Sequence, residues 1–354
     1  MPGVRSPDRR WVLTASLVGA LATGGGAGPL LGQHLSGPLS TQTLVTQSSS
    51  LFSREPSSTE GALTLLLPTG AQGVGLGRAM SAVPGPQSAF WNPAGLARLE
   101  EGHFTVMRGD HLAGDATAFS LILARQPIGV LGLSFQLLDL GSQDFRDGEG
   151  NVLGSVSFRD NLAIVSFSTK ILPVLDIGLN FKIFQSRITC RGECSNVTGT
   201  SYALDAGILS EPLAPLPLRV GLMLAHVGPN LQIINVEQAD PLPTRLRAGV
   251  AYEVLHHLLD LPGIQLWLTT EMEDKWRALG SPVLYVGGET VVGEEDLFFV
   301  RAGYGQSQAG QSAGVSVGFG IRYERFELGV AKRLSGTSLA GDSEPVHISF
   351  GVGF

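Results

Sequence analysis

A histidine and a serine near the end of the chain have the spacing closest to that of a catalytic pair. His347 and Ser349 are two residues apart, so a β-strand would place both side chains on one face. A serine nucleophile also needs its histidine oriented by an acidic or amide partner, and the sequence supplies no such residue at a recognisable spacing. A lipase or deacylase is therefore kept only as an alternative, and we predict a protein that is not an enzyme and has no catalytic residues.

Three glycines, Gly73, Gly75 and Gly77, are spaced like part of a phosphate-binding loop. Such a loop follows a β-strand and opens a helix within a βαβ unit, and neither element is predicted around these glycines. The net charge of −7 also argues against a nucleic-acid partner. We therefore predict no cofactor and no nucleic acid.

The stretch from Gly73 to Leu96 combines glycines and prolines with large apolar residues. Glycine and proline prevent a long helix or a regular strand there, yet the apolar side chains need burial. Asn92 precedes Pro93, which favours an extended conformation whose amide can bond nearby backbone. We predict a compact plug inside another structure, and the alternative is a surface loop. The residues of its hatch motif are Phe90, Trp91, Asn92, Pro93, Ala94 and Gly95.

The beginning of the chain is typical of a targeting segment. Three arginines precede an apolar run from Trp11 to Leu21, and small residues follow up to Gly28. Residues 1–28 are therefore predicted to be a signal peptide, and residues 29–62 a flexible spacer rich in Ser, Thr and Gln. Residues 63–100 are assigned to the plug, and residues 101–354 to the domain that encloses it.

Export affects how the only two cysteines, Cys190 and Cys194, are interpreted. In an oxidising compartment this close pair favours a local disulfide over a metal site. A metal would need further ligands, and no histidine lies nearby. We predict a disulfide and no bound metal.

From His103 onwards, apolar and polar residues alternate with a period of two. Leu131, Leu133 and Phe135, for example, alternate with Gly132 and Ser134. The alternation fits either a soluble β-sandwich or a membrane barrel whose apolar face meets lipid. Only 16% of the residues are charged, and the 47 glycines are about twice the average. Since no apolar run after residue 30 reaches the ~18 residues of a membrane helix, this composition favours the barrel.

The chain ends on an amphipathic strand with Phe350, Val352 and Phe354 on one face. A terminal strand that ends in phenylalanine resembles the sorting signal that outer-membrane barrels present to their assembly machinery. The predicted fold is all-β: a transmembrane antiparallel β-barrel of about 14 strands with an N-terminal periplasmic plug inside its lumen.

The connections between the predicted strands alternate between short turns and long polar loops. The long loops are Gly141 to Gly154, Thr189 to Gly199, Val227 to Pro243, Glu271 to Ser281 and Arg333 to Glu344. Outer-membrane barrels have short periplasmic turns and longer external loops. We therefore predict an outer-membrane protein with extracellular long loops and with both termini in the periplasm.

The strand register predicts a charged lumen. The residues expected to point inward are Lys182, Asp205, Arg219, Arg245, Arg247, Glu253, Arg301, Arg322 and Glu327. Buried charges must be paired. We therefore expect them to pair with one another and with the backbone of the plug, and the alternative is a water-filled pore.

Several motifs resemble those of one family of outer-membrane proteins. The run Gly73 to Gly77, Ala79-Met80 and the block Ala89 to Leu96 are similar to the N-terminal signature of PorV/PorQ-type proteins. These are relatives of FadL-type long-chain fatty acid transporters, which share an Asn-Pro-Ala hatch motif and a fourteen-stranded barrel. The resemblance runs from about residue 65 to the end and departs from the family at His226-Val227-Gly228, where relatives often carry Asn-Leu-Gly.

The resemblance implies two non-enzymatic functions. PorV-type members serve type IX secretion by receiving cargo proteins, which makes protein secretion and shuttling our main prediction. FadL-type members take up hydrophobic molecules through a plugged barrel, which is the alternative. The predicted partners are outer-membrane lipid, the barrel assembly machinery, and either secreted cargo proteins or hydrophobic small molecules. Exposed apolar loop residues such as Leu231, Ile233 and Ile234 would favour cargo, whereas an apolar pocket against Phe90, Trp91 and Phe184 would favour uptake.

Overall fold

The computed structural model describes residues 60–111, 114–125, 128–192, 194–212, 216–233, 239–255, 262–294, 296–306, 313–334 and 346–354. The predicted signal peptide and nearly all of the predicted spacer lie outside these ranges. Within them, fourteen antiparallel strands form a closed barrel. The predicted all-β antiparallel barrel and its strand number are confirmed.

Each strand pairs with its neighbours in sequence, and β1 pairs with β14 to close the ring. The strands are β1 His103–His111, β2 Gly114–Arg125, β3 Gly129–Arg146, β4 Val152–Leu172, β5 Leu175–Gly192, β6 Val197–Ser210, β7 Leu218–Val227, β8 Arg245–Glu253, β9 Ile264–Lys275, β10 Val283–Val292, β11 Leu297–Gly305, β12 Gly314–Tyr323, β13 Phe326–Leu334 and β14 Val346–Gly353.

Along most of each strand, side chains alternate between the two faces of the barrel wall. On β3, Leu131, Leu133 and Phe135 are exposed on the outside, whereas Ser134 and Gln136 are buried inside. Small and polar inward residues with apolar outward residues are the pattern of a barrel whose outer face meets lipid.

The two ends of the barrel differ. We call the end where β1 begins and β14 ends the proximal end, and the opposite end the distal end. Proximal connections such as Leu172 to Leu175 are short, and the connection from Val227 to Arg245 is distal. The β4–β5 ladder continues without a break from Asp176 to Gly192. Residues 152–159 of β4 therefore extend the wall distally by roughly 26 Å, at about 3.3 Å per residue.

Three predicted loops were partly wrong. Strand β3 runs to Arg146 and β4 starts at Val152, so the predicted loop from Gly141 is largely strand. Strand β5 likewise runs to Gly192 rather than ending before Thr189. Strand β9 continues to Lys275, so Glu271 belongs to the wall and not to a loop. In each case, polar residues on the inner face of a strand, or in its distal part, resemble a loop in sequence.

The segment before β1 is irregular. It contains an α-helix, Ala71–Gly75, and three 3-10 helices, Leu63–Leu66, Pro86–Phe90 and Pro93–Arg98. None of the helices among the described residues is long and apolar enough to cross a membrane.

Candidate functional site: the lumen and the segment inside it

Residues 60–100 lie in the lumen of the barrel. Ala71 N donates to Ser349 Oγ on β14 (2.8 Å), Ser168 Oγ on β4 donates to Ala94 O (3.2 Å), and Met80 N donates to Glu271 Oε2 on β9 (2.8 Å). These strands are four or five positions apart in the ring. A segment that contacts inward-facing residues of such widely separated strands must run through the interior. We call residues 60–100 the lumen segment.

Glycines in the wall let the lumen segment approach closely. A Cβ on Gly207 would lie 2.0 Å from Asn92 Oδ1, and one on Gly221 would lie 1.9 Å from Ser81 O. Any side chain at these positions would displace the lumen segment. The same holds on other strands, where the inward glycines in such contact are Gly178, Gly287 and Gly303. Part of the high glycine content therefore has a packing cause.

Asn92 joins the lumen segment to the wall. Its side chain is 1% exposed, and its Nδ2 donates to Ser81 O (2.7 Å) and to Ile208 O on β6 (3.0 Å). Its Oδ1 accepts from Ala94 N (3.2 Å), which caps the 3-10 helix that begins at Pro93. All three bonds depend on an amide that both donates and accepts.

Trp91 is buried beside Asn92. Its indole Nε1 donates to Thr69 O (3.0 Å), its ring packs on Gly73, and the Arg247 guanidinium lies 5.1 Å from the ring centroid. The rest of the hatch motif is buried with it apart from Phe90, which is partly exposed and packs on three apolar clusters. The motif residues are therefore buried inside the lumen, where Asn92 contacts the wall near the proximal end of β6.

A network of four charged wall residues holds the middle of the lumen segment. Glu271 accepts from Met80 N (2.8 Å), Ser81 N (2.6 Å) and Arg247 Nε (2.6 Å). Glu273 lies 3.3 Å from Arg247 Nε and 3.6 Å from Arg245 Nε. Because these groups are almost fully buried, removing one partner would leave an uncompensated charge.

A second buried group lies on β5, β6 and β7. Lys182 Nζ is 2.6 Å from Asp205 Oδ2, which also accepts from Asn180 Nδ2 (2.8 Å). Asn180 Nδ2 in turn donates to Ala89 O of the lumen segment (3.0 Å). Asp205 Oδ1 accepts from the backbone N of His226 (2.9 Å), where φ is +59° and the β6–β7 register shifts. This group fixes an irregular point of the wall against the lumen segment.

A cluster of charges fixes the proximal end of the lumen segment. Arg98 pairs with Asp176 and with Glu211, and Lys170 Nζ lies 3.1 Å from Glu211 Oε1. Burial raises the pKa of Glu211, but the hydrogen bond from Lys170 and the charge of Arg98 outweigh it, so the pKa lies below its ordinary value. Glu211 therefore remains ionised and holds both cations.

The other residues predicted to face the lumen are on the inner face. Arg301 is buried and pairs with Glu289, while Arg322 Nη2 lies 2.6 Å from Glu327 Oε2. Arg219 stacks on the Trp267 ring (3.9 Å to the centroid). The register also places Glu253 inward, half-buried at the proximal end of β8.

One side of the distal lumen is apolar. Phe184, Leu162 and Ile164 from the wall are buried against Leu65 of the lumen segment. The distal β7–β8 connection covers them with Leu231 and Leu242, which are 3% and 0% exposed. We call this group the apolar cluster, and its members are Leu65, Leu162, Ile164, Phe184, Ala203, Leu231 and Leu242, with Ala62, Phe90 and Ile233 packed at its edge.

The cluster continues onto the distal extension of the wall. Val156 pairs with Cys190, and Phe158 pairs with Ile188, on the same face as Leu162 and Phe184. The opposite face carries polar residues at this level, such as the exposed pair Arg159 and Arg187. On the distal extension, the arrangement of apolar and polar faces is therefore inverted relative to the rest of the wall, and the apolar face is the inner one.

Comparison with known proteins gives matches in structure only. No family model and no curated protein sequence matches the chain. The CymD monoaromatic hydrocarbon channel aligns with a TM-score of 0.56 at 13% identity, over 84% of this chain and 99% of that one. A Pseudomonas aeruginosa FadL homologue aligns at 0.52 and 11% identity, over 81% and 98%. The Ralstonia pickettii toluene transporter TbuX aligns at 0.50 and 11% identity, over 79% and 97%.

This chain has the fold of a FadL-type outer-membrane barrel. At such low identities the similarity establishes the fold alone. The finer resemblance to PorV/PorQ-type proteins stays a prediction.

Other candidate residues lie outside the lumen of the barrel. Cys190 and Cys194 form a disulfide at the distal end of β5, with Cα atoms 5.8 Å apart. Within the described ranges, no three metal-ligating side chains come together. Phe350 and Phe354 are exposed, and Val352 is half-buried on the same outer face. Phe354 also bonds Gly102 through its backbone.

The histidine and serine of the enzyme alternative have other partners. Ser349 Oγ accepts from Ala71 N (2.8 Å), and the His347 ring packs edge-on against His111 (centroids 4.9 Å apart). Both residues thus contact lumen or wall groups that are unrelated to a catalytic triad.

Sequence reasoning missed several residues that hold the lumen segment. Glu271 and Glu273 were assigned to a loop, and Asn180 and Asp176 were not singled out. The signal was present for the glutamates, because Glu271-x-Glu273 continues the inward positions of β9. For Asn180, nothing in the sequence marks its contact with Ala89.

Proposed function

We propose that this protein is an outer-membrane channel that takes up hydrophobic small molecules through the apolar cluster. The observation that carries the proposal is that cluster: Phe184, Leu162 and Ile164 belong to the largest buried apolar group among the described residues, and it lies on one side of the distal lumen. Ligand pockets are typically apolar cavities with a few polar groups.

The distal extension supports an entry route to this cluster. Its inner face is apolar at Val156, Phe158 and Ile188, and one polar pair, Asp160 and Ser186, lies between these residues and Phe184. A hydrophobic molecule can move along such a surface without returning to water. Uptake would then begin at the distal end and require displacement of Leu231 and Leu242.

The exposed apolar band supports an outer-membrane location, and the long distal connections support a distal end that faces the outside. Low-identity structural neighbours named as a monoaromatic hydrocarbon channel and a toluene transporter support the substrate class.

Secretion of cargo proteins, as in PorV-type proteins, is the competing function. It would use apolar residues exposed on distal loops. Leu231 is instead buried in the apolar cluster, Ile233 packs at its edge, and Ile234 lies outside the described residues. These positions favour uptake over cargo docking.

Uptake of labelled toluene by whole cells tests the proposal, because the outer membrane rather than a simple bilayer is the barrier. We expect cells that carry the protein to take up toluene faster than cells without it. Phe184→Gln should reduce the rate by roughly five- to a hundredfold, because a hydrophobic molecule bound there would leave the buried amide without a partner, at a cost of about 1–3 kcal/mol. Met107→Gln is the matched control, since Met107 is a buried inward residue on β1 outside the apolar cluster.

Unchanged uptake in Phe184→Gln, with both variants folded, would contradict a route through the cluster. Uptake equal to that of cells without the protein would contradict the channel itself.

A further inference from the structure

The lumen segment has a definite direction. Its C-terminal end is held proximally, where Arg98 pairs with Asp176 near the start of β5. Gly102 and Phe354 exchange two backbone hydrogen bonds of 2.9 Å at the same end. The segment therefore leaves the lumen proximally, next to the C-terminus, and enters β1.

The other end of the lumen segment is held distally. Glu60 forms a bidentate pair with Arg245, the most distal residue of β8, with both N–O distances at 2.7 Å. Gly61 N donates to Pro241 O (2.9 Å) in the distal β7–β8 connection. Lys275, the most distal residue of β9, places its Nζ 3.9 Å from Glu60 Oε2.

Residues between the two ends follow in order. Thr64 Oγ1 donates to Asp160 Oδ2 (2.7 Å) on β4, eight residues distal to Ser168, which bonds Ala94. At about 3.3 Å per residue, this separation is roughly 26 Å along the strand. The segment thus crosses the lumen from the distal end to the proximal end.

We propose that the chain enters its own barrel from the distal mouth, so that the lumen segment begins on the distal side, opposite to the C-terminus. With the distal end outside, as in the proposed function, Glu60 lies on the cell-surface side of the barrel. Sequence reasoning placed both termini in the periplasm, and residues 1–59 lie outside the described ranges. Glu60 lies at the end opposite to Phe354.

Two features keep this arrangement in place once it has formed. The Glu60–Arg245 pair is bidentate and nearly buried, with side-chain exposures of 13% and 1%, which is the geometry of strong charge-assisted bonds. The wall contacts of Asn92 and of Met80 and Ser81 then hold the segment further down the lumen. The lumen segment cannot withdraw to the proximal side without breaking these contacts.

Cysteine labelling with a membrane-impermeant maleimide tests the proposal in intact cells. The native cysteines form a disulfide and give an unlabelled background. Ser58→Cys, two residues before Glu60, is compared with Gly148→Cys in the distal β3–β4 connection and with Arg325→Cys in the proximal β12–β13 turn. A protease site inserted between Pro56 and Ser57 gives a second readout, and heat-modifiable gel migration verifies that each variant is folded.

In intact cells, we expect Ser58→Cys to be labelled, as Gly148→Cys is, and the inserted protease site to be cut. Arg325→Cys should react only after permeabilisation. Labelling of Ser58→Cys only together with Arg325→Cys would overturn the proposal. So would a Ser58→Cys variant that stays unlabelled, with an uncut protease site, even after permeabilisation. Because the two reference positions calibrate the sides directly, the result does not depend on toluene uptake.

Discussion

The hydrogen bonds of Asn92 set how firmly the lumen segment is seated. Asn92→Ala removes three bonds, to Ser81 O, Ile208 O and Ala94 N, at 2.7, 3.0 and 3.2 Å. At about 0.5–1.5 kcal/mol net for each bond, the loss is roughly 1.5–4.5 kcal/mol. Since about 1.4 kcal/mol corresponds to a tenfold change, the unseated population should rise by roughly ten- to a thousandfold.

Single-channel recording in planar bilayers measures this population as transient openings. We expect rare openings for the wild type and frequent ones for Asn92→Ala, while heat-modifiable gel migration shows an intact barrel. Gln136→Ala is the control, because Gln136 receives one hydrogen bond, of 3.3 Å, from Thr69 of the same segment. It should have a much smaller effect.

Asn92→Asp separates hydrogen bonding from side-chain size. The aspartate can still accept from Ala94 N, but it cannot donate to the carbonyl groups of Ser81 and Ile208. It should open the channel at least as often as Asn92→Ala. Wild-type opening frequency in both folded variants would refute the reasoning, and so would a wild type that already conducts like a wide porin.

Three further changes test the packing and the charges around the lumen segment. Gly221→Val adds a side chain whose Cβ alone would lie 1.9 Å from Ser81 O. We therefore expect frequent openings in bilayer recordings, and silent recordings would contradict the close packing. Glu271→Gln leaves the buried Arg247 undercompensated and should reduce the free energy of unfolding in detergent by about 3 kcal/mol; an unchanged unfolding midpoint would argue against the network. The pKa of Glu211 is lowered in the folded protein. Its ionised form therefore stabilises the fold at a pH above its ordinary pKa of about 4.3, and this stabilisation is lost as the pH falls through the lowered pKa. Glu211→Gln should therefore unfold at a lower temperature than the wild type at pH 7, with the difference vanishing in acid, and a difference independent of pH would contradict this role.

The barrel was predictable because lipid imposes a strict pattern on its outer face. Alternating residues such as Leu131, Leu133 and Phe135 must be apolar, whatever the protein does, so each strand carries its own signal. The terminal strand with Phe350 and Phe354 added a second, independent signal.

The parts of the wall that the sequence did not reveal lie where lipid imposes no pattern. Above the barrel rim the polarity inverts, so the distal residues of β3, β4 and β5 resembled loops. At Glu271 the inward face is charged because it binds backbone N–H groups of the lumen segment. Neither requirement can be read from the strand itself.

The hatch motif was identified by its composition, but its contacts were not. The partners of Asn92 are backbone carbonyls at positions 81 and 208, and any residue type can supply a carbonyl. The burial of Leu231 likewise depends on how a long connection folds over the mouth of the barrel. For the same reason, the sequence could not show that Glu60 lies at the distal end.

The most direct test of the proposed uptake route is a crystal structure of the protein soaked with an iodinated aromatic hydrocarbon. Anomalous scattering locates the iodine without interpretation of weak density. The proposal predicts an iodine site in the lumen against Phe184, Leu162 and Leu242, which Phe184→Gln should lose. Iodine sites confined to the lipid-facing surface, with none in the lumen, would contradict it.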